Sequence, residues 1–267
     1  MRAKKSLGQH FLKSQSAIEK IIEAGAVSKD DPVLEIGPGK GVLTKALLER
    51  AEKVIAVEKD GDLVEYLHST FSDEIAQRQL QVIHGDILTA DFSKLGLTQK
   101  KFKVIANIPY YITGILVRTL LESNVQPSAM VLLIQKEVAE RIAKDKKESV
   151  LSLSVKVYGM PRYVGTVKAA SFRPQPKVDS AILAVTGISK DFFDTLSEKY
   201  FFTVLKAGFK SKRKRLLNNL EAFGTKECLC ALFDRLSIDY NSRPEDVPLQ
   251  MWKRLALALQ EGVPERP

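Results

Sequence analysis

The feature that most constrains the fold of this chain is a glycine-rich turn between an apolar segment and an amphipathic one. Residues 32–34 are apolar and typical of a buried strand, and residues 42–48 are apolar at helical spacing. Between them Gly37, Gly39 and Gly41 follow a G-x-G-x-G pattern, whereas a dinucleotide fingerprint would need its third glycine one residue later. Because glycines permit a tight turn and a close approach of the backbone to a ligand, this segment predicts the first strand and helix of an α/β fold, with a ligand site at the strand end.

Acidic residues at the ends of the next two predicted strands indicate what that ligand is. Residues 53–58 are a predicted strand that ends in Glu58, whose carboxylate can accept hydrogen bonds from both ribose hydroxyls of a nucleoside. Residues 80–84 are the next strand, and Asp86 just beyond it can accept a hydrogen bond from an adenine amino group. This pair favours a nucleoside cofactor over a bare phosphate. The alternative is that the glycines serve only to make a turn.

A second motif, Asn107-Ile108-Pro109-Tyr110, follows the predicted strand 103–106. Pro109 stiffens the turn and biases Ile108 towards an extended conformation. The side-chain oxygen of Asn107 and the backbone oxygen of Ile108 can then both point at one amino group. The alternative is an ordinary turn with a capping Asn and a buried Tyr.

Two convergent acceptors suit chemistry on the exocyclic amino nitrogen of a base. The lone pair of adenine N6 is delocalised into the ring, so this amine is a poor nucleophile. Acceptors on its two hydrogens favour a pyramidal nitrogen and direct the lone pair at a sulfonium methyl group. Tyr110 would stack on the base, which is the usual way to hold a flipped nucleobase. Together the two motifs predict methyl transfer from a nucleoside cofactor to a base amine.

On the basis of these motifs, the chain resembles the ribosomal RNA adenine dimethyltransferase family over almost its whole length. It is most similar to bacterial members that dimethylate two adjacent adenines near the 3′ end of small-subunit (16S) rRNA. The fragments that carry the resemblance are residues 7–12, the glycine loop, Glu58, Asp86, Asn107 to Tyr110, and residues 172–180, 208–209, 216–220 and 243–245. The resemblance implies S-adenosylmethionine as the cofactor and small-subunit rRNA within an assembling ribosomal subunit as the partner.

The resemblance also implies roles for individual residues. The cofactor site is expected to contain His10, Leu12, Gly37, Gly39, Glu58, Asp86 and Asn107. The catalytic residues are expected to be Asn107, Ile108, Pro109, Tyr110 and Phe172, with Phe172 as a second aromatic side chain opposite Tyr110. The alternative for Phe172 is an ordinary core residue beside a Pro-rich turn. His10 departs from the family pattern, which usually has Asn there, although a neutral imidazole can still donate or accept one hydrogen bond.

Alternating strand and helix patterns predict a Rossmann-like class I methyltransferase sheet. Residues 15–25 predict an opening helix, and strands near residues 32, 53, 80, 103 and 129 alternate with helical segments. Residues 150–155 and 178–185 are later apolar runs, which fit an antiparallel hairpin at the sheet edge. The pattern then becomes helical to the end. We expect an S-adenosylmethionine-binding catalytic domain over residues 1–187 and a smaller α-helical RNA- or ribosome-binding domain over residues 188–267.

The charge of the chain is concentrated in one segment of the predicted helical domain. The 267 residues carry a formal net charge of +9, which suits a polyanionic partner. Six cations lie within a stretch of ten residues that has no acid and is interrupted by Phe209, and we expect them to bind RNA: Lys206, Lys210, Lys212, Arg213, Lys214 and Arg215. The alternative is a solvated helix face. A second basic group flanks the N-terminal motif: Arg2, Lys4, Lys5 and Lys13.

The remaining features exclude several classes of protein. No segment approaches the roughly 20 apolar residues of a membrane span, and the basic N-terminus lacks the apolar stretch of a signal peptide. The three histidines are too scattered for a metal site. We therefore expect a cytoplasmic monomer that holds no metal and does not bind membranes.

Two other functions remain as alternatives at this stage. One is a large-subunit rRNA adenine methyltransferase of the macrolide-resistance type, which shares the Asn107-to-Tyr110 motif. The other, from a different class, is a ribosome-assembly factor that binds RNA and has weak catalysis. The long C-terminal domain with residues 243–245 favours the small-subunit enzyme over the first alternative, and the intact motif argues against the second.

Overall fold

The computed structural model describes residue 4 and residues 7–262 of the chain. Its strands are β1 (Phe11–Leu12), β2 (Pro32–Ile36), β3 (Lys53–Glu58), β4 (Leu80–His84), β5 (Lys103–Asn107), β6 (Ala129–Gln135), β7 (Met160–Val167), β8 (Phe172–Arg173) and β9 (Ser180–Thr186). Its helices are α1 (Gln15–Gly25), α2 (Val42–Leu48), α3 (Gly61–Thr70), α4 (Ser72–Ala76), α5 (Thr113–Glu122), α6 (Lys136–Ala143), α7 (Val150–Lys156), α8 (Glu198–Gly208), α9 (Leu216–Asn219), α10 (Lys226–Leu236) and α11 (Leu249–Gln260).

The chain divides into two compact units. The first comprises Met1–Ala143 and Gly159–Ile188, and the second comprises Lys144–Tyr158 and Ser189–Pro267, each within its described residues. The second unit therefore includes a segment, Lys144–Tyr158, that the sequence assigned to the N-terminal domain. The other change of unit, after Ile188, falls next to the expected boundary at residue 187.

The first unit is built on one seven-stranded sheet in the order β4-β3-β2-β5-β6-β9-β7. The first five strands in this order are parallel, and β9 and β7 continue the sheet in antiparallel pairings. The predicted mostly parallel α/β sheet is confirmed. Strand β2 lies between β3 and β5, so the chain leaves β2 in one direction and later returns to its other side. Such a reversal of strand order opens a crevice at the carboxyl ends of the strands, where ligands of open α/β sheets bind.

Helix α1 has both the capping residue and the apolar spacing from which a helix can be predicted. The side chain of Ser14 caps α1 by accepting a hydrogen bond from the backbone N–H of Ala17. Ile18, Ile21 and Ile22 are buried at the three- and four-residue spacing of one helix face. The predicted helix over residues 15–25 is confirmed.

The predicted strand over residues 150–155 is wrong, because this segment forms helix α7. A capping box starts the helix: Ser149 accepts a hydrogen bond from the backbone N–H of Ser152, whose hydroxyl accepts one from the N–H of Ser149. Ser152 and Ser154 are buried together with Leu153 and Val155, so the alternation of Leu and Ser does not separate an inner face from an outer one. The antiparallel partner of β9 is β7 instead.

The regular elements in the described residues of the second unit are all helices, as predicted for the chain beyond residue 187. Trp252, Phe201 and Phe233 are fully buried and form the centre of its core. At Gly208 the backbone of α8 approaches Trp252 so closely that a Cβ atom would lie 2.4 Å from the indole ring. A larger residue at this position would therefore separate α8 from α11.

Candidate active site

A cavity of about 160 Å³ lies at the carboxyl ends of β2, β3, β4 and β5. This volume is more than ten times the roughly 10–15 Å³ that one water molecule occupies by the same measure. The cavity brings together nearly all the residues expected in the cofactor and catalytic sites: His10, Gly37, Gly39, Glu58, Asp86, Asn107, Ile108, Pro109, Tyr110 and Phe172. These residues come from segments up to 162 positions apart, from His10 to Phe172, so it is the fold that brings them together.

Leu12 is the expected site residue that does not line this cavity. Its side chain is 6% exposed and lies at a smaller adjoining pocket of about 30 Å³. The small pocket shares Gly37, Gly39 and Asn107 with the cavity and reaches the buried carboxyl group of Glu35. Leu12 therefore supports the wall beside the glycine loop.

The glycine loop requires its glycines for both conformation and space. Gly39 has a φ of +59°, and a Cβ atom there would lie 2.9 Å from the ring of Phe11. Its backbone N–H donates a hydrogen bond to Oε2 of Glu58 at 3.1 Å. The loop between β2 and α2 is thus tied to the carboxylate at the end of β3.

Glu58 is held in place by backbone groups. Its Oε1 accepts hydrogen bonds from the N–H groups of Lys59 and Asp60, both at 2.9 Å, and its Oε2 accepts the one from Gly39. Burial raises the pKa of Glu58, and these three N–H donors oppose that shift. A carboxylate offers about four acceptor positions, so one position on Oε2 remains for a ligand hydroxyl.

Asp86 provides a second acceptor at the next strand end. Its Oδ1 accepts a hydrogen bond from the N–H of Leu88, and its Oδ2 forms an ion pair with Nζ of Lys59 at 2.8 Å. The hydrogen bond from Lys59 is the main reason that the pKa of Asp86 lies below its ordinary value. Asp86 therefore presents a charged acceptor where the sequence placed an adenine amino group.

Asn107 and Ile108 are fixed at the end of β5 by two hydrogen bonds. Nδ2 of Asn107 donates to the backbone oxygen of His10 at 3.0 Å, which identifies the other side-chain atom as the acceptor oxygen. The backbone N–H of Ile108 donates to the oxygen of Leu133 at 3.2 Å. The peptide between Asn107 and Ile108 is thus positioned from both sides.

Aromatic side chains surround this peptide. The hydroxyl of Tyr110 is 2.8 Å from Oγ of Ser180, and burial raises the pKa of this phenol. The ring of His10 stacks on Tyr110 with centroids 6.0 Å apart and planes inclined by 25°. Nδ1 of His10 donates to the carbonyl oxygen of Pro174 at 2.8 Å, so Nε2 of the neutral ring is an acceptor. Phe172 is 3% exposed and lines the cavity.

The chemistry of these groups fits S-adenosylmethionine. Glu58 and Asp86 offer the acceptors that a ribose and an adenine amino group need. Apolar side chains between them can enclose a purine ring: Ile36, Val57, Leu63 and Ile87. Beside the glycine loop, Oε2 of Glu35 is buried without a hydrogen-bond partner among the described residues, so it can still bond to a polar group of a ligand.

Sequence reasoning missed the residues that hold the N-terminal segment over the cavity. Asp60 is 4% exposed and accepts hydrogen bonds from Nζ of Lys4 at 2.6 Å and Nε2 of Gln9 at 2.8 Å. Burial opposes ionisation of Asp60, but these donors and the N–H of Asp62 outweigh it and lower its pKa. The sequence signal that could have identified Asp60 was its position immediately before a predicted helix. In the structure its side chain also caps α3. Its partners lie more than 50 residues away in the sequence.

The basic segment of the second unit forms an exposed turn between α8 and α9. Its expected RNA-binding side chains are all exposed, and none forms an ion pair within the described part of the chain: Lys206, Lys210, Lys212, Arg213, Lys214 and Arg215. Nδ2 of Asn219 donates to the backbone oxygens of Gly208 and Ser211 and so fixes the turn. Phe209, which interrupts the cations, stacks on Trp252 and is only 8% exposed.

In the second basic group Lys4 is paired with Asp60 and Asp62, whereas Arg2 and Lys5 lie outside the described residues. Within residue 4 and residues 7–262, no cluster of three or more His, Cys, Asp or Glu side chains is placed to hold a metal ion. The helices over the same range include none with the length and apolar character needed to span a bilayer.

Comparison with known proteins agrees with the site. A family model described as ribosomal RNA adenine dimethylase matches residues 1–261. Proteins named ribosomal RNA small subunit methyltransferase A are 40% identical over 265 residues in Dehalococcoides mccartyi, covering 98% of this chain and 90% of that protein. In Clostridium botulinum the identity is 37% over 256 residues, covering 94% and 92%.

Two solved structures match over both units. A dimethyladenosine transferase from Plasmodium falciparum superposes with a TM-score of 0.80 at 28% identity, covering 94% of this chain and 98% of that one. The 23S rRNA methyltransferase ErmE superposes with a TM-score of 0.74 at 26% identity, covering 94% and 99%.

Proposed function

The chain belongs to the ribosomal RNA adenine dimethylase family, and from this premise we propose that it methylates adenine N6 in small-subunit rRNA with S-adenosylmethionine as methyl donor. The observation that carries the proposal is the single cavity that joins the nucleoside acceptors Glu58 and Asp86 to the Asn107-to-Tyr110 motif. Relatives named for the small subunit match nearly the full chain, which supports this choice of RNA.

The cofactor side of the cavity is responsible for binding and orientation. When bound, S-adenosylmethionine supplies an electrophilic methyl group on a sulfonium sulfur. The free acceptor position on Oε2 of Glu58 receives a ribose hydroxyl, and Asp86 accepts from the adenine amino group. The glycine loop can approach the cofactor closely, because Gly39 has no side chain that would occupy the space between them.

The substrate side of the cavity prepares the target amine. The side-chain oxygen of Asn107 and the backbone oxygen of Ile108 accept hydrogen bonds from the two hydrogens of adenine N6. These contacts favour a pyramidal nitrogen and leave its lone pair directed at the methyl group. No strong general base is needed, because the extra proton of the product becomes acidic only after transfer. Tyr110 and Phe172 enclose the flipped base by stacking.

The products we propose are N6,N6-dimethyladenosines at two adjacent adenines near the 3′ end of the RNA, formed during ribosome assembly. In dimethylating members of the family an aliphatic residue tends to occupy the position of Ile108, which favours room for an amine that already carries one methyl group. The second transfer finds one hydrogen left on N6, and either of the two acceptors can hold it.

For the second unit we propose RNA or ribosome binding through residues 206–215. Six exposed cations without ion-pair partners among the described residues can neutralise phosphates without first breaking an internal contact. Residues 188–267 then form the RNA-binding part and residues 1–187 the catalytic part of a cytoplasmic monomer. Light scattering of the purified protein tests the monomeric state.

A second candidate substrate is large-subunit rRNA, because the structure also superposes on ErmE, a 23S rRNA methyltransferase. Its identity of 26% is below the 40% of the small-subunit relatives, which favours the first candidate. A ribosome-assembly factor with weak catalysis is a third possibility, and the complete set of acceptors in the cavity argues against it.

Transfer of labelled methyl groups distinguishes these three functions. Purified small subunits from cells that lack this modification and protein-free large-subunit rRNA are each incubated with the protein and labelled S-adenosylmethionine. We expect label in the small-subunit RNA alone. Label in the large-subunit RNA would favour the second candidate, and binding of small subunits without any transfer would favour the third.

A further inference from the structure

Tyr111 is the neighbour of Tyr110 in the catalytic motif, but its surroundings are very different. Both residues belong to the 3-10 turn Tyr110–Ile112, and both line the cavity. Tyr110 is half-buried and its hydroxyl contacts Ser180, whereas Tyr111 is 63% exposed. A large aromatic side chain therefore lies at the mouth of the cavity, facing solvent.

The ring of Tyr111 is held in position by the N-terminal segment. A Cβ atom at Gly8 would lie 3.3 Å from Cε1 of Tyr111 and 3.6 Å from Cβ of Pro109, so the backbone at Gly8 packs directly against this ring. Gly8 has a φ of +60°, a conformation that suits glycine. A ring that is already supported on one side loses little conformational entropy when it binds a partner.

Other side chains extend this surface. Ile115 is 57% exposed and lies in the first turn of α5, which directly follows the 3-10 turn of Tyr111 in the chain. Nζ of Lys59 is also at this rim, where Asp86 chiefly and Tyr111 to a smaller degree raise its pKa. An exposed aromatic ring with an apolar neighbour and a nearby cation has the composition of a stacking site for single-stranded nucleic acid.

We propose that Tyr111 is the stacking platform for the nucleotide next to the target adenine, with Ile115 extending the platform. The inference rests on the proposed function, since it requires RNA at the mouth of the cavity. An adenine that enters the cavity leaves its neighbour without a stacking partner. Stacking of that neighbour on Tyr111 compensates for the loss and holds the strand while Tyr110 and Phe172 enclose the target.

The test is a double-mutant cycle between Tyr111 and the neighbouring base. Small-subunit particles are assembled with ligated rRNA that is either unmodified or abasic at the nucleotide on the 5′ or the 3′ side of the target adenine. The dissociation constant is measured for the parent, Tyr111→Ala and Tyr111→Phe. Tyr66→Ala serves as the control, because Tyr66 lies on α3, is 38% exposed and does not line the cavity.

On unmodified particles we expect Tyr111→Ala to bind roughly 5- to 100-fold more weakly, the range that corresponds to one base-aromatic stack. Tyr111→Phe and Tyr66→Ala should stay within about twofold of the parent, since both retain the aromatic platform. One of the two abasic particles lacks the base that stacks on Tyr111. The parent and Tyr111→Ala should bind that particle with equal affinity.

Two results would overturn the inference: parent-like affinity of Tyr111→Ala for the unmodified particle, or a loss of affinity from Tyr111→Ala that is as large on both abasic particles as on the unmodified one. Thermal unfolding of each variant verifies that it is folded. Failure of the parent itself to bind the unmodified particle would instead contradict the proposed function, on which the inference depends.

Discussion

At the scale of single residues, Glu58 shows how a strand end becomes a cofactor site. Three backbone N–H groups fix its carboxylate and leave one acceptor position on Oε2. We predict that Glu58→Ala raises the dissociation constant of S-adenosylmethionine by roughly 10- to 100-fold, because a hydrogen bond to a charged group contributes about 1.5–3 kcal/mol. Titration calorimetry measures the change. Unaltered cofactor affinity in a folded Glu58→Ala protein would refute the ribose contact.

Asn107 is expected to act on turnover more than on binding. Its side-chain oxygen contacts the amine most strongly when the nitrogen becomes pyramidal, so the contact stabilises the transition state more than the bound substrate. Asn107→Ala should lower the single-turnover rate of methylation by roughly 100-fold or more and change the affinity for the particle little. Tyr110→Ala, the comparison, should impair both. A parent rate in Asn107→Ala at saturating cofactor would show that the chemistry is assigned wrongly.

The ionisation of Glu35 makes the stability of the folded protein depend on pH. Burial, with a smaller contribution from the charge of Glu58, raises the pKa of Glu35 to about 8 from an ordinary 4.5, and the nearby hydroxyl of Thr44 opposes the shift. The folded protein therefore binds this proton more tightly than the unfolded chain. The resulting stability is fully present below pH 4.5 and is lost as the pH rises to about 8.

We predict that Glu35→Gln, which cannot ionise, removes this loss. Between pH 5 and pH 8 the free energy of unfolding of the parent should fall relative to that of Glu35→Gln by roughly 1–4 kcal/mol, because each unit of pKa shift corresponds to about 1.4 kcal/mol. Urea denaturation at a series of pH values measures the difference. Parallel pH profiles for the two proteins would mean that Glu35 titrates normally in the folded state.

At the scale of elements, the sequence was most informative where local pattern and burial coincide. Strands β2, β3, β5 and β6 are rich in Val, Ile and Leu and are buried along nearly their whole length, so their existence could be predicted. Helix α7 could not, because Leu and Ser alternate there as in a strand while both are buried. Burial of this kind depends on packing from several directions and leaves no periodic signal.

The basic segment 206–215 illustrates a second limit. Its six cations are exposed, as both RNA binding and a solvated surface require, but Phe209 packs inward on Trp252 and cannot stack on RNA as an interleaved aromatic residue would. The sequence pattern does not predict which side chains of a turn point into the core. Phosphate contacts therefore have to come from the cations alone.

We predict that Lys212→Gln, Arg213→Gln and Lys214→Gln together weaken binding to the small-subunit particle and leave cofactor affinity unchanged. If each cation neutralises one phosphate, the plot of log affinity against log salt should become shallower by roughly 2–3, since each contact contributes about 0.7–0.9 to the slope. Binding measured across a salt series gives the slope.

A matched control removes the same charge elsewhere in the second unit, with Lys199, Lys226 and Arg235 changed to Gln. These three are also exposed. Their loss should leave the slope close to that of the parent. Equal slopes for all three proteins would assign residues 206–215 to a solvated surface.

At the scale of the whole molecule, the fold explains why distant motifs meet. The reversal of strand order at β2 places the ends of β3 and β4 on one side and the end of β5 on the other. Glu58, Asp86 and Asn107 could therefore be assigned to one crevice from the sequence, because parallel strands end at the same edge. The contacts of Asp60 with Lys4 and Gln9 could not, since they join segments more than 50 residues apart and follow no periodic pattern.

The central claim is that this cavity transfers methyl groups to adenine N6 until the amine is fully substituted. The most direct measurement is mass spectrometry of nuclease fragments from unmodified small subunits after incubation with the protein and S-adenosylmethionine, with Asn107→Ala as control. We expect two adjacent nucleotides near the 3′ end of the RNA to become N6,N6-dimethyladenosine with the parent and to stay largely unmodified with Asn107→Ala. Unmodified RNA after incubation with the parent, or methyl groups on any other atom of the base, would contradict the claim.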